Sequence, residues 1–284
     1  MRKSVVAIIV VLLMLMSGTL WAAEYAGVAT IFQLSPSIRG MGMGNAFTGM
    51  SSDGSIVFFN PANLAHVENG EIVSLYSREF GISRYFGIAY ADKNYGVGVG
   101  NLSTEFQLVD EFLNPQGEAK ASETGFIGAF GFALTPDIGV GIAGKVYVDS
   151  GIEDKGTGCT LDIGLSFKRD KFTVGVVGKN LVGRVKYGDN AEQRFEREYR
   201  LGVAAEISEG ILFVADLGEG VVRLGAEYTL DRFSGRGGVI YAEGEMNYTV
   251  GFGVQMERGL SVDYALMLHP VLPESHRLGV RLSF

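Results

Sequence analysis

Three histidines, one cysteine and a short run of alternating glycines have the most chemistry to offer, and their spacing decides what they can do. His66, His269 and His276 are scattered, and no two have metal-ligand spacing. Cys159 has no second cysteine to pair with and no neighbouring histidine to activate it, so it reads as a small apolar residue at the start of a strand. There is no Gly-x-Ser-x-Gly elbow. Asp162 and Asp263 have the chemistry for acid or base work, but in a charged interior they serve more simply as partners of Arg200, Arg223 and Arg281. The run Gly40-Met41-Gly42-Met43-Gly44 has Gly-x-Gly-x-Gly spacing with no buried strand leading into it, which is not a dinucleotide fingerprint. Glu153 and Asp154, in the loop 150–158, lack a calcium-loop pattern. The expectation is a protein that is not an enzyme, with no cofactor and no metal.

The elements that would position such residues begin after residue 23. Arg2 and Lys3, the apolar stretch Val5 to Met16 and the small-residue tail ending Trp21-Ala22-Ala23 form the three parts of a secretory signal peptide, residues 1–23. The apolar stretch is shorter than the roughly 20 residues a spanning helix needs. Its removal leaves 22 Lys and Arg (24 less Arg2 and Lys3) against 32 Asp and Glu, a formal charge of about −10 that argues against nucleic acid as a partner. No second apolar run reaches spanning length. A membrane location would therefore require strands, since only helices and closed barrels satisfy their backbone in lipid. The 41 glycines are dispersed along the chain, as in strands with one small, crowded face.

From about residue 71 onward, apolar residues alternate with small or polar ones over roughly ten residues at a time. Leu278, Val280, Leu282 and Phe284, for example, alternate with Arg277, Gly279, Arg281 and Ser283. The pattern predicts strands at 71–79, 83–91, 94–107, 123–134, 137–149, 159–168, 171–182, 197–206, 210–218, 220–229, 232–241, 246–255, 258–267 and 275–284. All six prolines fall outside these segments. Connections after even-numbered strands are short, and the long ones (108–122, 150–158, 183–196, 268–274) all follow odd-numbered strands. Sorting of loop length by parity is the mark of a transmembrane barrel, with short turns on one side and loops on the other. The expected fold class is all-β: a transmembrane antiparallel barrel of about 14 strands over 71–284, preceded by an N-terminal hatch or plug segment at 24–70.

Cost assigns the two faces. A cation at mid-membrane on the lipid side of a barrel costs roughly 2–4 kcal/mol. Charges should therefore face the lumen, and Lys145, Asp162, Lys179, Arg200, Glu206, Arg223, Glu227, Arg236, Asp263, Arg277 and Arg281 all fall in phase with the glycines. The first strand gives no clean phase, because Glu71, Arg78 and Glu79 flank Val73 and Leu75. Inward apolar candidates are Ile127, Tyr147, Val177 and Met267, with Met41, Met43, Phe47, Phe58 and Phe59 from the N-terminal segment; they read as plug packing or as an adaptable pocket. Two outer-loop clusters, Glu111-Phe112-Leu113 and Val271-Leu272, read as loop packing or a small apolar patch.

Residues 24–66 break the strand repeat. They contain Arg39 to Phe47 (RGMGMGNAF), then Asp53, then Asn60-Pro61-Ala62-Asn63-Leu64, in which Asn60 suits a helix N-cap and Pro61 the first helical position. With these motifs, over about residues 36–65, the chain resembles the FadL-like outer-membrane family, and within it the smaller PorV-like branch. The terminal Phe284 resembles the C-terminal aromatic of many outer-membrane proteins, which implies recognition by the outer-membrane barrel assembly machinery. The resemblance implies a 14-stranded barrel whose N-terminal segment folds into the lumen as a hatch, with Gly40, Gly42, Gly44, Phe47, Asn60, Pro61 and Ala62 as its structural or gating residues. It also implies the outer membrane of a diderm bacterium, reached by the general secretory pathway, with outer-membrane lipid around the barrel. Fatty-acid channels of the family have longer outer loops than this chain.

Two functions from different classes follow. In one, the barrel is a hatch-gated passive conduit for hydrophobic or amphipathic small molecules. In the other, it is a PorV-like adaptor that docks a secretion-system protein and transports nothing itself.

Overall fold

The structure is a computed structural model that describes residues 30–284 except 113, 152–154, 189–190 and 219. The signal peptide, residues 24–29 of the N-terminal segment, Leu113, Glu153 and Asp154 thus lie outside the described residues.

Among the described residues, sixteen strands form one antiparallel sheet. The first seven are β1 (Glu71–Glu79), β2 (Ser83–Asp92), β3 (Tyr95–Val109), β4 (Pro115–Thr135), β5 (Ile138–Ser150), β6 (Lys155–Arg169) and β7 (Phe172–Lys179). A short hairpin follows, β8 (Gly183–Tyr187) and β9 (Ala191–Arg194). The rest are β10 (Glu198–Ser208), β11 (Ile211–Gly218), β12 (Val221–Leu230), β13 (Phe233–Ala242), β14 (Glu245–Gln255), β15 (Leu260–Leu268) and β16 (Ser275–Ser283). Each barrel strand pairs with the next, β7 pairs with β10 across the hairpin, and β1 pairs with β16 from Glu71↔Ser283 to Arg78↔His276. With β8 and β9 outside the ring, 14 strands close the barrel.

The alternation that marks the strands also makes the barrel a membrane protein. Large apolar side chains stand exposed all round its outer face, among them Phe86, Val97, Phe130, Ile163, Phe213, Leu224, Tyr248, Val250 and Leu278. An apolar band of this extent belongs in lipid, and ring closure leaves no unpaired edge within it. Among the described residues no helix is long and apolar enough to cross a membrane, so strands do the crossing.

Three expectations need correction. The segment 108–122 is not a loop: β3 and β4 continue as one tall hairpin to Val109↔Pro115, and Pro115 begins a strand where the register shifts and a ladder donor is dispensable. Residues 183–194 are likewise the hairpin β8–β9, because the outer half of β6 pairs with β8 (Gly156↔Tyr187 to Thr160↔Gly183) and not with β7. Cys159 therefore lies within β6, on its outer face. In β1 the phase is clean: Val73, Leu75, Ser77 and Glu79 are buried toward the lumen, and Tyr76 and Arg78 point out. Val73 and Leu75 face inward because an apolar segment, and not water, lies behind them.

Candidate functional site

Residues 30–67 lie inside the barrel. A 3-10 turn at Thr30–Phe32 leads to the helix α1 (Ile38–Gly42), whose N-cap Ser37 accepts from Gly40 N at 2.8 Å. Further 3-10 turns follow at Ile56–Phe58 and Pro61–His66. Asn60 caps the last of these by accepting from Ala62 N at 3.0 Å, with Pro61 at the first helical position.

Wall glycines make room for this backbone. A Cβ on Gly141 would stand 2.3 Å from the Pro61 carbonyl carbon, one on Gly225 2.4 Å from Met43 O, and one on Gly238 2.3 Å from Gly44 N. These glycines come from β5, β12 and β13, so the segment is seated on widely separated parts of the wall. Gly42 meets Gly251 backbone to backbone, and Gly44 takes a left-handed φ of +66° beneath Leu224 O and Val239 O. Gly40 packs against Ser37 within α1. Phe47 is fully buried with its ring 5.0 Å from Phe59, and Ala62 is buried against the wall.

Polar bonds fix the same segment. Asp216, on β11, accepts from Phe47 N at 3.1 Å, Thr48 N at 3.0 Å and Thr48 Oγ1 at 2.7 Å. Asn60 Nδ2 donates to Thr48 O at 3.3 Å and to Leu165 O in the wall at 3.2 Å. Arg39 leaves α1 to meet Glu227 on β12; Arg236 joins the same carboxylate at 2.6 Å and reaches Asp263 at 2.6 Å, with Arg281 4.0 Å from Asp263. Burial by itself would lower the Arg39 pKa, but Glu227 overrides it and raises it, so this guanidinium stays charged.

Apart from Arg223, the predicted lumen charges resolve into pairs. Lys145 and Asp162 are buried 2.6 Å apart, with Asn180 Oδ1 3.1 Å from the ammonium. Lys179 and Arg200 share Glu198, and Arg277 holds Glu79 at 2.9 Å while donating to Ser35 O in the enclosed segment. Arg223 is half-buried above Asp216 and close to Arg200. Glu206 also lies on the lumen side, exposed at the mouth of the inner end and paired with Lys171 at 2.6 Å. Phe284 N donates to Gly70 O at 3.0 Å, and its ring stacks on Tyr90 on the outer face.

The two ends of the lumen differ. The inner end holds a polar cavity of about 520 Å³, lined in part by Arg39, Asp53, His66, Glu71 and Glu227. There the His66 ring is 3.1 Å from Ser166 Oγ, which donates to Ala62 O; burial first, then Lys168, pushes the imidazole pKa down. The outer end is largely apolar, though the Lys145 ammonium lies 5.0 Å from the Phe32 ring and Glu123 accepts from Ile31 N at 3.0 Å. Ile31, Phe32, Tyr85, Tyr147, Val185 and Phe195 pack together, and the Phe32, Tyr147 and Phe195 rings lie 6.0–6.1 Å apart. Phe195 arrives from outside, on the chain leaving β9. The inward candidates Ile127 and Val177 are buried, and Met267 packs at the edge of the outer cluster.

Above the outer rim the hairpin β3–β4 changes character. On its outward face, apolar Val97, Phe126 and Phe130 give way to Ser103, Glu105, Gln107 and Lys120. On its lumen-side face, in the phase of Gly96, Gly98 and Gly100, come Leu102, Thr104, Phe106 and Leu108, opposite Glu123, Ala121, Ala119 and Gly117. Phe106 and Leu108 are each 41% exposed, an apolar ribbon in water that leads down to the outer cluster. Phe112 at the hairpin tip and Val271 and Leu272 between β15 and β16 are exposed as well.

The barrel superposes on the Ralstonia pickettii toluene transporter TbuX with a TM-score of 0.64 at 12% identity, over 93% of this chain and 100% of that one. The fold is FadL-like. The Pseudomonas putida toluene transporter TodX (TM-score 0.54, 13% identity, 86% and 96% coverage) and a Pseudomonas aeruginosa FadL homologue (0.54, 9%, 88% and 98%) share the FadL-like architecture. No protein-family model matches the sequence, and no curated protein matches it. Arg39, Glu79, Glu198, Asp216 and Phe195 were not singled out as site residues. Asp216 was recoverable from its phase with Gly218, whereas nothing in the local pattern marks Phe195 as an inward residue.

Proposed function

We propose that the chain is an outer-membrane conduit for hydrophobic or amphipathic small molecules, with the segment 24–70 as its hatch. The apolar ribbon Leu102, Phe106 and Leu108 carries this reading: it stands in water on the lumen side and runs to an apolar cluster whose lid residue, Phe195, comes from a surface hairpin. The FadL-like fold, shared with two toluene transporters, supports it. In this reading a ligand collects on the ribbon, displaces Phe195 and meets Phe32 and Ile31 of the hatch. The charged pairs below would hold the hatch until it moves. Export by the signal peptide and insertion aided by Phe284 belong to the same reading.

The close filling of the lumen favours the second reading, an adaptor that docks a protein partner. Planar-bilayer conductance and liposome uptake of an aromatic hydrocarbon separate the two, comparing the mature protein with a version lacking residues 24–66. A closed full-length barrel that takes up the hydrocarbon, with conduction in the truncated one, supports the hatch-gated conduit. Silence in both, with heat-modifiable gel mobility showing folded barrels, transfers the assignment to the adaptor.

A further inference from the structure

The outer wall carries a concave site of a different kind. On the lipid-facing side, Phe132, Val140, Ile142, Ile163, Leu165 and Val176, from β4 to β7, line an apolar groove of about 500 Å³. Elsewhere the lipid-facing wall of a barrel is convex. Here Gly178 leaves a gap in the outward row of β7, and Leu181 and Tyr199 lean over it from outside; a Cβ on Gly178 would be 2.9 Å from Leu181 Cδ2. The groove is therefore stopped at its outer end.

Toward the inner rim, the outward row of β6 runs Ile163, Leu165, Phe167 and then Arg169. Arg169 lies four residues beyond Leu165, about 13 Å along the strand, where the membrane meets the periplasmic turn. It is exposed, and among the described residues it has no ion-pair or hydrogen-bonding side-chain partner, whereas its neighbour Lys171 is paired with Glu206. An apolar groove closed on the outside and continued inward to a free guanidinium matches one amphiphile: an anionic headgroup at the inner interface with a chain rising into the wall.

We propose that this groove holds one acyl chain of an anionic glycerophospholipid of the periplasmic leaflet, with Arg169 at its phosphate. The site is separate from the lumen and does not depend on whether anything crosses the barrel. The test is retention of phosphatidylglycerol by the full-length protein, measured by native mass spectrometry after extraction from nanodiscs of phosphatidylethanolamine and phosphatidylglycerol. One phosphatidylglycerol should remain on each barrel. Val176→Trp, which fills the groove from the lipid side, should abolish retention; Arg169→Gln should weaken it roughly fivefold; Val250→Trp, on the exposed face of β14, should leave it unchanged. Unchanged retention in Val176→Trp, preference for lipopolysaccharide when both are offered, or a barrel dimer that Val176→Trp breaks would each overturn the proposal. If Val176→Trp fails to assemble on heat-modifiable gels, Arg169→Gln decides alone, and unaltered retention in that variant overturns it.

Discussion

Arg39 of the enclosed segment grips Glu227 of the barrel wall at two points, Nη2 to Oε1 at 2.5 Å and Nε to Oε2 at 2.9 Å. The same carboxylate accepts from Arg236, so one wall residue joins the enclosed segment to the network that continues to Asp263. Removing one partner of a buried pair leaves the other uncompensated, which costs on the order of 3–5 kcal/mol. Glu227→Gln should therefore loosen residues 30–67 and raise the frequency of channel openings, and Arg39→Gln should act in the same direction. Hydrogen exchange of this segment and single-channel recording check both. In the double variant the effects should be clearly less than additive, since each single change already breaks the contact.

The wall glycines separate seating from lipid contact. Gly141→Val would drive a side chain into the backbone of Pro61, and the segment would have to leave its seat. Gly128, on β4, faces outward with no atom within 4 Å of where its Cβ would be, so Gly128→Val should leave the seat intact. Limited proteolysis between residues 40 and 66 reads the difference; equal susceptibility in both variants would contradict the geometry.

Asn60 does more than cap a helix. Loss of the cap alone costs about 1 kcal/mol, and Asn60→Ala also removes the bonds to Thr48 O and Leu165 O. A drop of more than about 2 kcal/mol in denaturant unfolding followed in detergent is expected. Asn60→Asp keeps the cap acceptor and loses the two donated bonds, so it should fall between.

The inner seat should weaken with acid. His66 has its pKa lowered below 6.5 in the folded chain, so the unfolded chain takes up the proton first as pH falls. The stability tied to neutral His66 is complete above about pH 6.5 and declines as pH drops below that value. Exchange at residues 61–67 should accelerate between pH 7 and pH 5 in the native protein. In His66→Gln, that acceleration should be absent.

Ligand capture should depend on the ribbon and not on the barrel. Phe106→Glu or Leu108→Glu changes a residue that is 41% exposed and should leave heat-modifiable mobility untouched, while binding of a fluorescent hydrophobic probe weakens several-fold. Phe195→Ala should instead increase probe access by opening the aromatic trio. Unaltered probe binding in all three would shift the assignment to a docking role.

The barrel was legible because a lipid-spanning strand has only two environments, and period-two patterns report them directly. Lys145, Asp162, Lys179 and Arg277, charges in phase with the glycines, are all buried in pairs. Where the environment changes along one strand, the pattern fails. The β3–β4 hairpin leaves the membrane near Asn101 and Glu123 and exchanges its apolar and polar faces, so its upper half read as a loop. In β1 the lumen side mixes apolar Val73 and Leu75 with Ser77 and Glu79 while Arg78 points out, which erased the contrast that sets the phase.

By itself, the sequence determined the fold class, the ring of 14 strands, the side of the barrel that carries the long connections and the face on which small residues leave room. Those properties follow from local periodicity and from the cost of polar groups in lipid. Only the tertiary structure decided which charge meets which, that β6 changes partner from β7 to β8, and that Phe195 turns inward over Phe32 and Tyr147. These contacts join residues far apart in the chain. Closure of the ring and the bulk of the enclosed segment set them, and neither leaves a local signature.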